Sequence, residues 1–169
     1  MLKGKKILLG ITGSIAAYKV ISLARELVKK GADVRVVMTP SALSFVTPLT
    51  LATITKNPTH SAYIADEITG EWSNHVELGK WADLMVIAPL SANTLAKLVT
   101  GECDNLLLAV FLSLSCPLFV APAMDLDMSE HWTTVENLKI LKDKGVNVLD
   151  FDEGELASGL VGKGRMKEP

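Results

Sequence analysis

Cysteine is scarce in this chain, with only Cys103 and Cys116 among 169 residues. Two cysteines at this spacing form neither a metal-ligand pattern nor a disulfide framework, so we predict no metal site and a reducing, cytoplasmic location. Phe, Trp and Tyr supply only 5% of the residues, too few for an aromatic platform that stacks single-stranded bases. The formal net charge of −2 shows no positive excess, so neither nucleic acid nor an anionic membrane is predicted as a partner.

Long uninterrupted hydrophobic runs are also missing. The longest apolar segment, residues 106–124, is interrupted by Ser115 and Pro117 and lacks flanks suited to a membrane span. The short apolar stretch near the N-terminus ends at a glycine-containing turn, which is unlike a secretory signal. Hydrophobic residues make up 49% of the chain and charged residues 21%. This composition and length predict one globular domain that buries a sizeable core.

Apolar segments with β character alternate with helical patterns along the chain. Strands are predicted at residues 5–11, 33–39, 83–89, 117–123 and 146–150, with a short one near 60–63. Helices are predicted over residues 15–30, 75–81, 92–100, 104–115 and 129–144, with two shorter ones split at Pro48. The glycine-rich tail from residue 153 is predicted to be irregular. This alternation favours a single-domain α/β fold, in which a Rossmann-like, three-layer α/β/α arrangement surrounds an open, doubly wound parallel sheet.

Small polar residues follow the predicted strands, where ligands bind in such folds. Gly13 permits a tight turn after the first strand, and Ser14 presents a hydroxyl at a helix N-terminus, which suits a phosphate group. The segment 91–94 (SANT) forms a second group of this kind. For each segment alone, a simple turn with a helix cap remains an equal alternative. The first turn lacks the G-x-G-x-x-G pattern and no acidic residue ends the second strand, which counts against NAD.

Five segments in a fixed order carry a resemblance to a known family: GITGSIAAYK (10–19), NHVELGKWADLMVIAPLSANTLAKL (74–98), GECDNLL (101–107), APAMDLDM (121–128) and GLVGKGRMKEP (159–169). Together they resemble the phosphopantothenoylcysteine decarboxylases, which belong to the homo-oligomeric flavin-containing cysteine decarboxylases. The resemblance implies an FMN-dependent carbon–carbon lyase of coenzyme A biosynthesis. That lyase converts 4'-phosphopantothenoylcysteine to 4'-phosphopantetheine by thiol oxidation, CO₂ loss and enethiolate reduction.

The resemblance also implies roles for individual residues. His75 is the catalytic base, Asp125 contacts the substrate carboxylate, and Ser158 stands where the family has a proton-donating cysteine. Lys163 and Arg165 lie in a flap that closes over the substrate. The FMN site is implied to comprise Gly13, Ser14, Ile15, Thr39, Ser41, Ser91, Ala92, Asn93, Thr94 and Ala123.

The resemblance extends to assembly and domain organisation. It implies a homo-oligomer, either a trimer or a dodecamer of trimers, with FMN at subunit contacts, so that His75 acts across an interface. Residues 1–169 are predicted to form one flavoprotein decarboxylase domain, either standalone or excised from a bifunctional chain with a synthetase domain.

Two positions depart from the family pattern. Asp125 stands where the family has asparagine, and an ionised carboxylate accepts hydrogen bonds but donates none. Ser158 stands in ELASG where the family has ELACG, and a hydroxyl is a much weaker acid than a thiol with a pKa of about 8.5. These departures leave three alternatives: a complete reaction with serine, a stalled reduction step, or oxidative decarboxylation that releases an enethiol. A flavin prenyltransferase and a non-catalytic flavin-binding regulatory subunit of the same fold are further alternatives.

Overall fold

Six parallel strands form the central sheet of this protein, whose computed structural model describes residues 2–167. The strands, in chain order, are β1 (Lys6–Ile11), β2 (Asp33–Met38), β3 (Thr59–His60), β4 (Ile64–Asp66), β5 (Glu71–Trp72), β6 (Leu84–Leu90), β7 (Leu118–Pro122), β8 (Asn147–Val148), β9 (Asp152–Glu155) and β10 (Val161–Arg165). The sheet has the order β3-β2-β1-β6-β7-β8, while β4 pairs with β5 and β9 with β10 as separate antiparallel hairpins. The predicted open parallel sheet in a single α/β domain is confirmed.

Helices cover the sheet and connect its strands. They are α1 (Tyr18–Lys29), α2 (Pro48–Thr55), α3 (His75–Trp81), α4 (Ala92–Thr100), α5 (Leu106–Leu112), α6 (Leu126–Glu130) and α7 (Trp132–Asp143), with 3₁₀ turns at Ile15–Ala17 and Pro40–Ser44. The helix predicted over 129–144 is divided, because His131 is extended and accepts a hydrogen bond from Thr133 N–H as the N-cap of α7. Among residues 2–167, no helix is long and apolar enough to cross a membrane.

Two hydrophobic layers lie on opposite faces of the sheet, because successive strand residues point to opposite sides. In β1, Ile7, Leu9 and Ile11 pack with α1 and α2, whereas Leu8 packs on the other face with α3, α4, α5 and α7. All four of these β1 side chains are at most 2% exposed. Burial on both faces explains why the strand sequences are apolar at nearly every position.

The strand order places a topological switch point between β1 and β6. The chain moves outward from β1 through β2 to β3 and then returns to β6 on the other side of β1. At such a point the loops after the strands diverge, which leaves a crevice at the carboxyl edge of the sheet. The turns that begin at Thr12 and Ser91 follow β1 and β6 and therefore border this crevice.

The glycine-rich tail is not irregular, and that prediction is wrong. Residues 152–155 and 161–165 pair as the β9–β10 hairpin, with Gly159 in the left-handed region at φ 83° within the connection. Few side chains of this hairpin are buried. Its position therefore depends on hydrogen bonds to the body of the domain.

Candidate active site

The turns after β1 and β6 meet at the switch point through one buried hydroxyl group. Thr12 is fully buried, and its Oγ1 donates a hydrogen bond to the Pro89 carbonyl at 2.6 Å. The same oxygen accepts a hydrogen bond from the backbone N–H of Ser91 at 2.9 Å. Thr12 therefore fixes the position of the segment 91–94 relative to the first turn.

The turn after β1 also touches the turn after β2. A Cβ atom on Gly13 would lie 2.5 Å from Oγ of Ser41, which is closer than side chains approach each other. The hydroxyl groups of Thr39 and Ser41 lie 3.1 Å apart and share a hydrogen bond. Hydroxyl-bearing turns from three separate strands are thus joined at one edge of the sheet.

Ser14 and Ser91 both act as helix N-caps, as the simpler interpretation of each segment predicted. Ser14 Oγ accepts a hydrogen bond from Ala16 N–H at 3.3 Å, and Ser91 Oγ accepts one from Thr94 N–H at 3.3 Å. Both caps remain half-buried, and Asn93 is exposed. The capping leaves the Ser14 hydroxyl proton available to a ligand, whereas the Ser91 hydroxyl also donates a hydrogen bond to Thr94 Oγ1 at 3.3 Å.

A cleft of about 520 Å³ lies beside the first turn. Three parts of the chain line it: residues from 14 to 19, residues 123–125 after β7, and the β9–β10 hairpin. Of the predicted site residues, the cleft is lined by Ser14, Ile15, Ala123, Asp125 and Arg165. Its volume is within the range of small-molecule and cofactor sites.

Asp125 and Ser158, the two departures from the family pattern, are in direct contact. The Ser158 hydroxyl donates a hydrogen bond to Asp125 Oδ1 at 2.9 Å. The same oxygen accepts the backbone N–H of Leu126 at 2.7 Å, because Asp125 is the N-cap of α6. The pair connects the tip of the hairpin to the loop after β7.

Further hydrogen bonds hold the base of the hairpin against the domain. Met124 N–H donates to the Gly164 carbonyl at 3.0 Å, and Ser129 Oγ donates to the Lys163 carbonyl at 2.9 Å. The Lys163 side chain itself is exposed, whereas Arg165 is half-buried beside Gly154. Of the two predicted flap cations, only Arg165 therefore lines the cleft.

His75 lies at the start of α3 and is not among the residues that line the cleft. Its ring is edge-on to Tyr63 and to Trp72, each with a centroid separation of 6.2 Å. Its Nδ1 is buried and has no hydrogen-bond partner in the described part of the chain. A buried nitrogen of this kind is normally hydrogen-bonded, so the unpaired Nδ1 distinguishes His75 from a satisfied core residue.

Two titratable groups near this part of the chain, His60 and Tyr63, have pKa values that differ from their ordinary ones. Burial, reinforced by the Arg35 charge, lowers the pKa of His60, whose ring nitrogen shares a hydrogen bond with Ser73 at 3.1 Å. Partial burial, followed by the hydrogen bond to Cys103, raises the pKa of Tyr63. Both groups are therefore neutral at pH 7, and neither adds charge beside His75.

Lys19 is a cleft residue that the sequence analysis missed. It is only 8% exposed, and its Nζ donates a hydrogen bond to the Met166 carbonyl at 3.3 Å. A signal was present, because Lys19 lies within the buried stripe of Ala16, Val20 and Ala24 at the start of α1. A buried lysine requires polar partners, and here the C-terminal tail supplies one.

Comparison with known proteins identifies the family. The Flavoprotein family profile matches residues 1–169. This chain belongs to the Flavoprotein family. The family membership that the sequence motifs indicated is thereby confirmed.

Two solved structures resemble this Flavoprotein-family chain along most of their length. A cysteine-to-serine mutant of PPC decarboxylase complexed with pantothenoylaminoethenethiol is 37% identical with a TM-score of 0.84, covering 98% of this chain and 92% of that one. The FMN binding protein AtHal3 is 37% identical with a TM-score of 0.81, covering 98% and 91%.

Two curated relatives are considerably longer than this Flavoprotein-family chain. The coenzyme A biosynthesis bifunctional protein CoaBC of Haemophilus influenzae is 46% identical over 168 residues, which are 99% of this chain and 42% of the relative. A cysteine/cysteine sulfinic acid decarboxylase from an unknown prokaryotic organism is 54% identical over 124 residues, which are 73% of this chain and 34% of the relative. The chain thus spans less than half the length of either relative.

Proposed function

We propose that this protein catalyses the FMN-dependent decarboxylation of 4'-phosphopantothenoylcysteine to 4'-phosphopantetheine, a step of coenzyme A biosynthesis. The observation that carries the proposal is the meeting of hydroxyl-bearing turns at the switch point beside the cleft. The similarity to PPC decarboxylase and to CoaBC supports the same activity. Neither the enethiol-releasing alternative nor the non-catalytic regulatory subunit is favoured by these similarities.

The residues at the edge of the sheet fit a flavin mononucleotide. Phosphate is bound by hydroxyl and backbone N–H donors, and Ser14, Thr39, Ser41, Ser91 and Thr94 supply hydroxyl groups from three neighbouring turns. We assign the phosphate to these donors, with Gly13 allowing the close approach of the turns. The remaining contacts of the flavin are assigned to Ile15, Ala92, Asn93 and Ala123.

When bound, the flavin would supply the reversible two-electron redox chemistry that the reaction needs before and after CO₂ loss. The protein supplies proton handling and orientation. His75 is assigned as the base, since histidine is the side chain most often used for general acid–base catalysis. Ser158, hydrogen-bonded to Asp125, is assigned to deliver the proton to the carbon that has lost CO₂, although a hydroxyl does so less readily than a thiol.

The substrate is assigned to the cleft between the first turn and the β9–β10 hairpin. Lys19 and Arg165 line the cleft and provide positive charge for the anionic groups of the substrate. Lys163, on the exposed side of the hairpin, is assigned to the outer part of the same flap. Residues 1–169 are proposed to form the decarboxylase domain. A trimeric or dodecameric assembly, an attached synthetase domain and a cytoplasmic location remain predictions.

Anaerobic turnover of purified, FMN-loaded protein tests the proposal. Addition of 4'-phosphopantothenoylcysteine should release CO₂ and yield saturated 4'-phosphopantetheine, as measured by mass spectrometry, with transient bleaching of the yellow flavin spectrum. Accumulated enethiol with reduced flavin would show that Ser158 does not sustain the last step. A yellow protein whose spectrum and substrate both remain unchanged would contradict the proposed activity.

A further inference from the structure

One buried side chain joins two of the turns that are assigned to FMN. Thr12 lies between β1 and Gly13, and none of its surface is exposed. It is not among the residues that line the cleft. Thr12 therefore has no surface of its own to offer a ligand, and any role in ligand binding must act through its neighbours.

The hydroxyl group of Thr12 continues the connection between β1 and β6 beyond the end of their ladder. The parallel pairing of these strands extends only to Gly10 and Ile87. Past that point, Oγ1 donates its single proton to the Pro89 carbonyl at 2.6 Å and accepts the Ser91 N–H at 2.9 Å. The loops diverge here at the switch point, so these two hydrogen bonds span the opening of the crevice.

Only a hydroxyl group can make both of these hydrogen bonds from one small side chain. It has one proton and two lone pairs, so a single oxygen satisfies a buried carbonyl and a partly buried N–H group. Removal of this oxygen leaves both backbone groups without their partner, which costs free energy at a buried position. The link between the two turns is then lost.

We propose that Thr12 is a positioning residue for the flavin. It holds the turn that begins at Gly13 at a fixed distance from the segment 91–94, and both contribute donors to FMN in the proposed function. Donors that are held in place before binding lose less entropy when the ligand arrives. The hydroxyl of Thr12 therefore strengthens FMN binding without touching FMN. The inference rests on the proposed function, because that function assigns the two turns to the flavin.

Retention of FMN by two Thr12 variants tests the inference without turnover. Thr12→Val keeps the shape and the β-branching of the side chain but removes the hydroxyl, whereas Thr12→Ser keeps the hydroxyl. Serial dilution of the FMN-loaded proteins, followed by the fluorescence of released flavin, gives each equilibrium dissociation constant. We expect Thr12→Val to raise this constant at least about tenfold. Thr12→Ser should stay within about threefold of the wild type, because both hydrogen bonds remain.

The matched control is Thr55→Val. Thr55 is 5% exposed, and its Oγ1 also links two backbone groups, because it donates to the Leu51 carbonyl at 2.9 Å and accepts the Asn57 N–H at 3.3 Å. It is the last residue of α2, and no part of the flavin is assigned to it. Thr55→Val should lower the melting temperature as Thr12→Val does, but should leave the FMN dissociation constant unchanged.

A further substitution covers the case in which Thr12→Val does not fold. Thr12→Cys retains a side chain of similar size whose S–H group donates only weakly, and it should raise the dissociation constant at least about threefold. The inference is overturned if folded Thr12→Val or Thr12→Cys retains FMN as tightly as the wild type. It is also overturned if Thr12→Ser or Thr55→Val loses FMN as readily as Thr12→Val.

Failure of this inference and failure of the proposed function are distinguishable. A protein that decarboxylates 4'-phosphopantothenoylcysteine, and that retains FMN equally well as the wild type and as Thr12→Val, contradicts only the role of Thr12. A protein in which Thr12→Val weakens FMN binding, but whose wild type leaves the substrate unchanged, contradicts only the proposed reaction. A wild-type protein that retains no FMN contradicts both.

Discussion

At the scale of single residues, a polar side chain within an otherwise apolar segment was the most informative sequence signal for a functional site. The motif around His75 pointed to a base, and the structure leaves its buried Nδ1 without a partner in the described part of the chain. Lys19 carried an equally strong signal, a charge within a buried helical stripe, which the sequence analysis did not use. Contacts such as the one between Asp125 and Ser158 could not be predicted, because they join residues far apart in the chain.

Replacement of His75 by asparagine tests its role as the base. His75→Asn should retain the flavin colour and lower the turnover rate by at least about 100-fold, since a positioned general base typically contributes that much or more. Steady-state CO₂ release measures the effect. His131→Asn is the control, because His131 is exposed and its ring bonds to Thr133; this variant should stay active. Unchanged activity in His75→Asn would remove the residue from the mechanism.

At the scale of elements, the parallel strands were predictable and the hairpin was not. Burial on both faces makes β1, β2, β6 and β7 largely apolar, and this pattern is visible in the sequence. The β9–β10 hairpin has no such pattern, because its segments DEGE and VGKGR are rich in glycine and charge. Its position depends on hydrogen bonds to residues 124–129, which only the folded structure supplies.

The close approach of the first two turns predicts a specific steric effect. Gly13→Ala should lower the melting temperature and weaken flavin retention, because the new Cβ would lie 2.5 Å from Ser41 Oγ and 2.7 Å from Ser41 Cβ. Overpacking of this kind typically costs about 1–3 kcal/mol. The second substitution Ser41→Gly removes both clashing atoms and should restore most of the melting temperature. If Gly13→Ala is as stable as the wild type, the turns are not in contact.

At the scale of the whole molecule, His75 is not among the residues that line the cleft. The cleft lies beside β1, β7 and the C-terminal hairpin, whereas His75 contacts residues of the β4–β5 hairpin, which follows the edge strand β3. In the predicted trimer, His75 of one subunit would act in the cleft of another subunit. The topology of a single chain could not have indicated that His75 needs a second subunit to reach a cleft.

An apolar patch around His75 is the surface most suited to such a contact. It consists of Tyr63, Ile64, Ile68, Trp72 and Val76, whose exposed fractions range from 37% to 97%. Exposed apolar groups that cluster in this way typically mark an interaction surface. In a homo-oligomer that buries this patch, the half-buried His75 ring would be brought next to a second chain.

Substitution within the patch tests this arrangement in solution. If the protein forms the predicted trimer, Ile68→Glu should shift it toward monomer in sedimentation velocity, because an unpaired charge in a buried contact costs several kcal/mol. Val135→Glu is the matched control, since Val135 is 56% exposed on α7, which packs beside β8 at the opposite edge of the sheet. Loss of the trimer in Ile68→Glu should abolish turnover together with assembly, because His75 would no longer reach a cleft. A monomeric wild-type protein with full activity would contradict catalysis across subunits and require His75 and the cleft to approach each other within one chain.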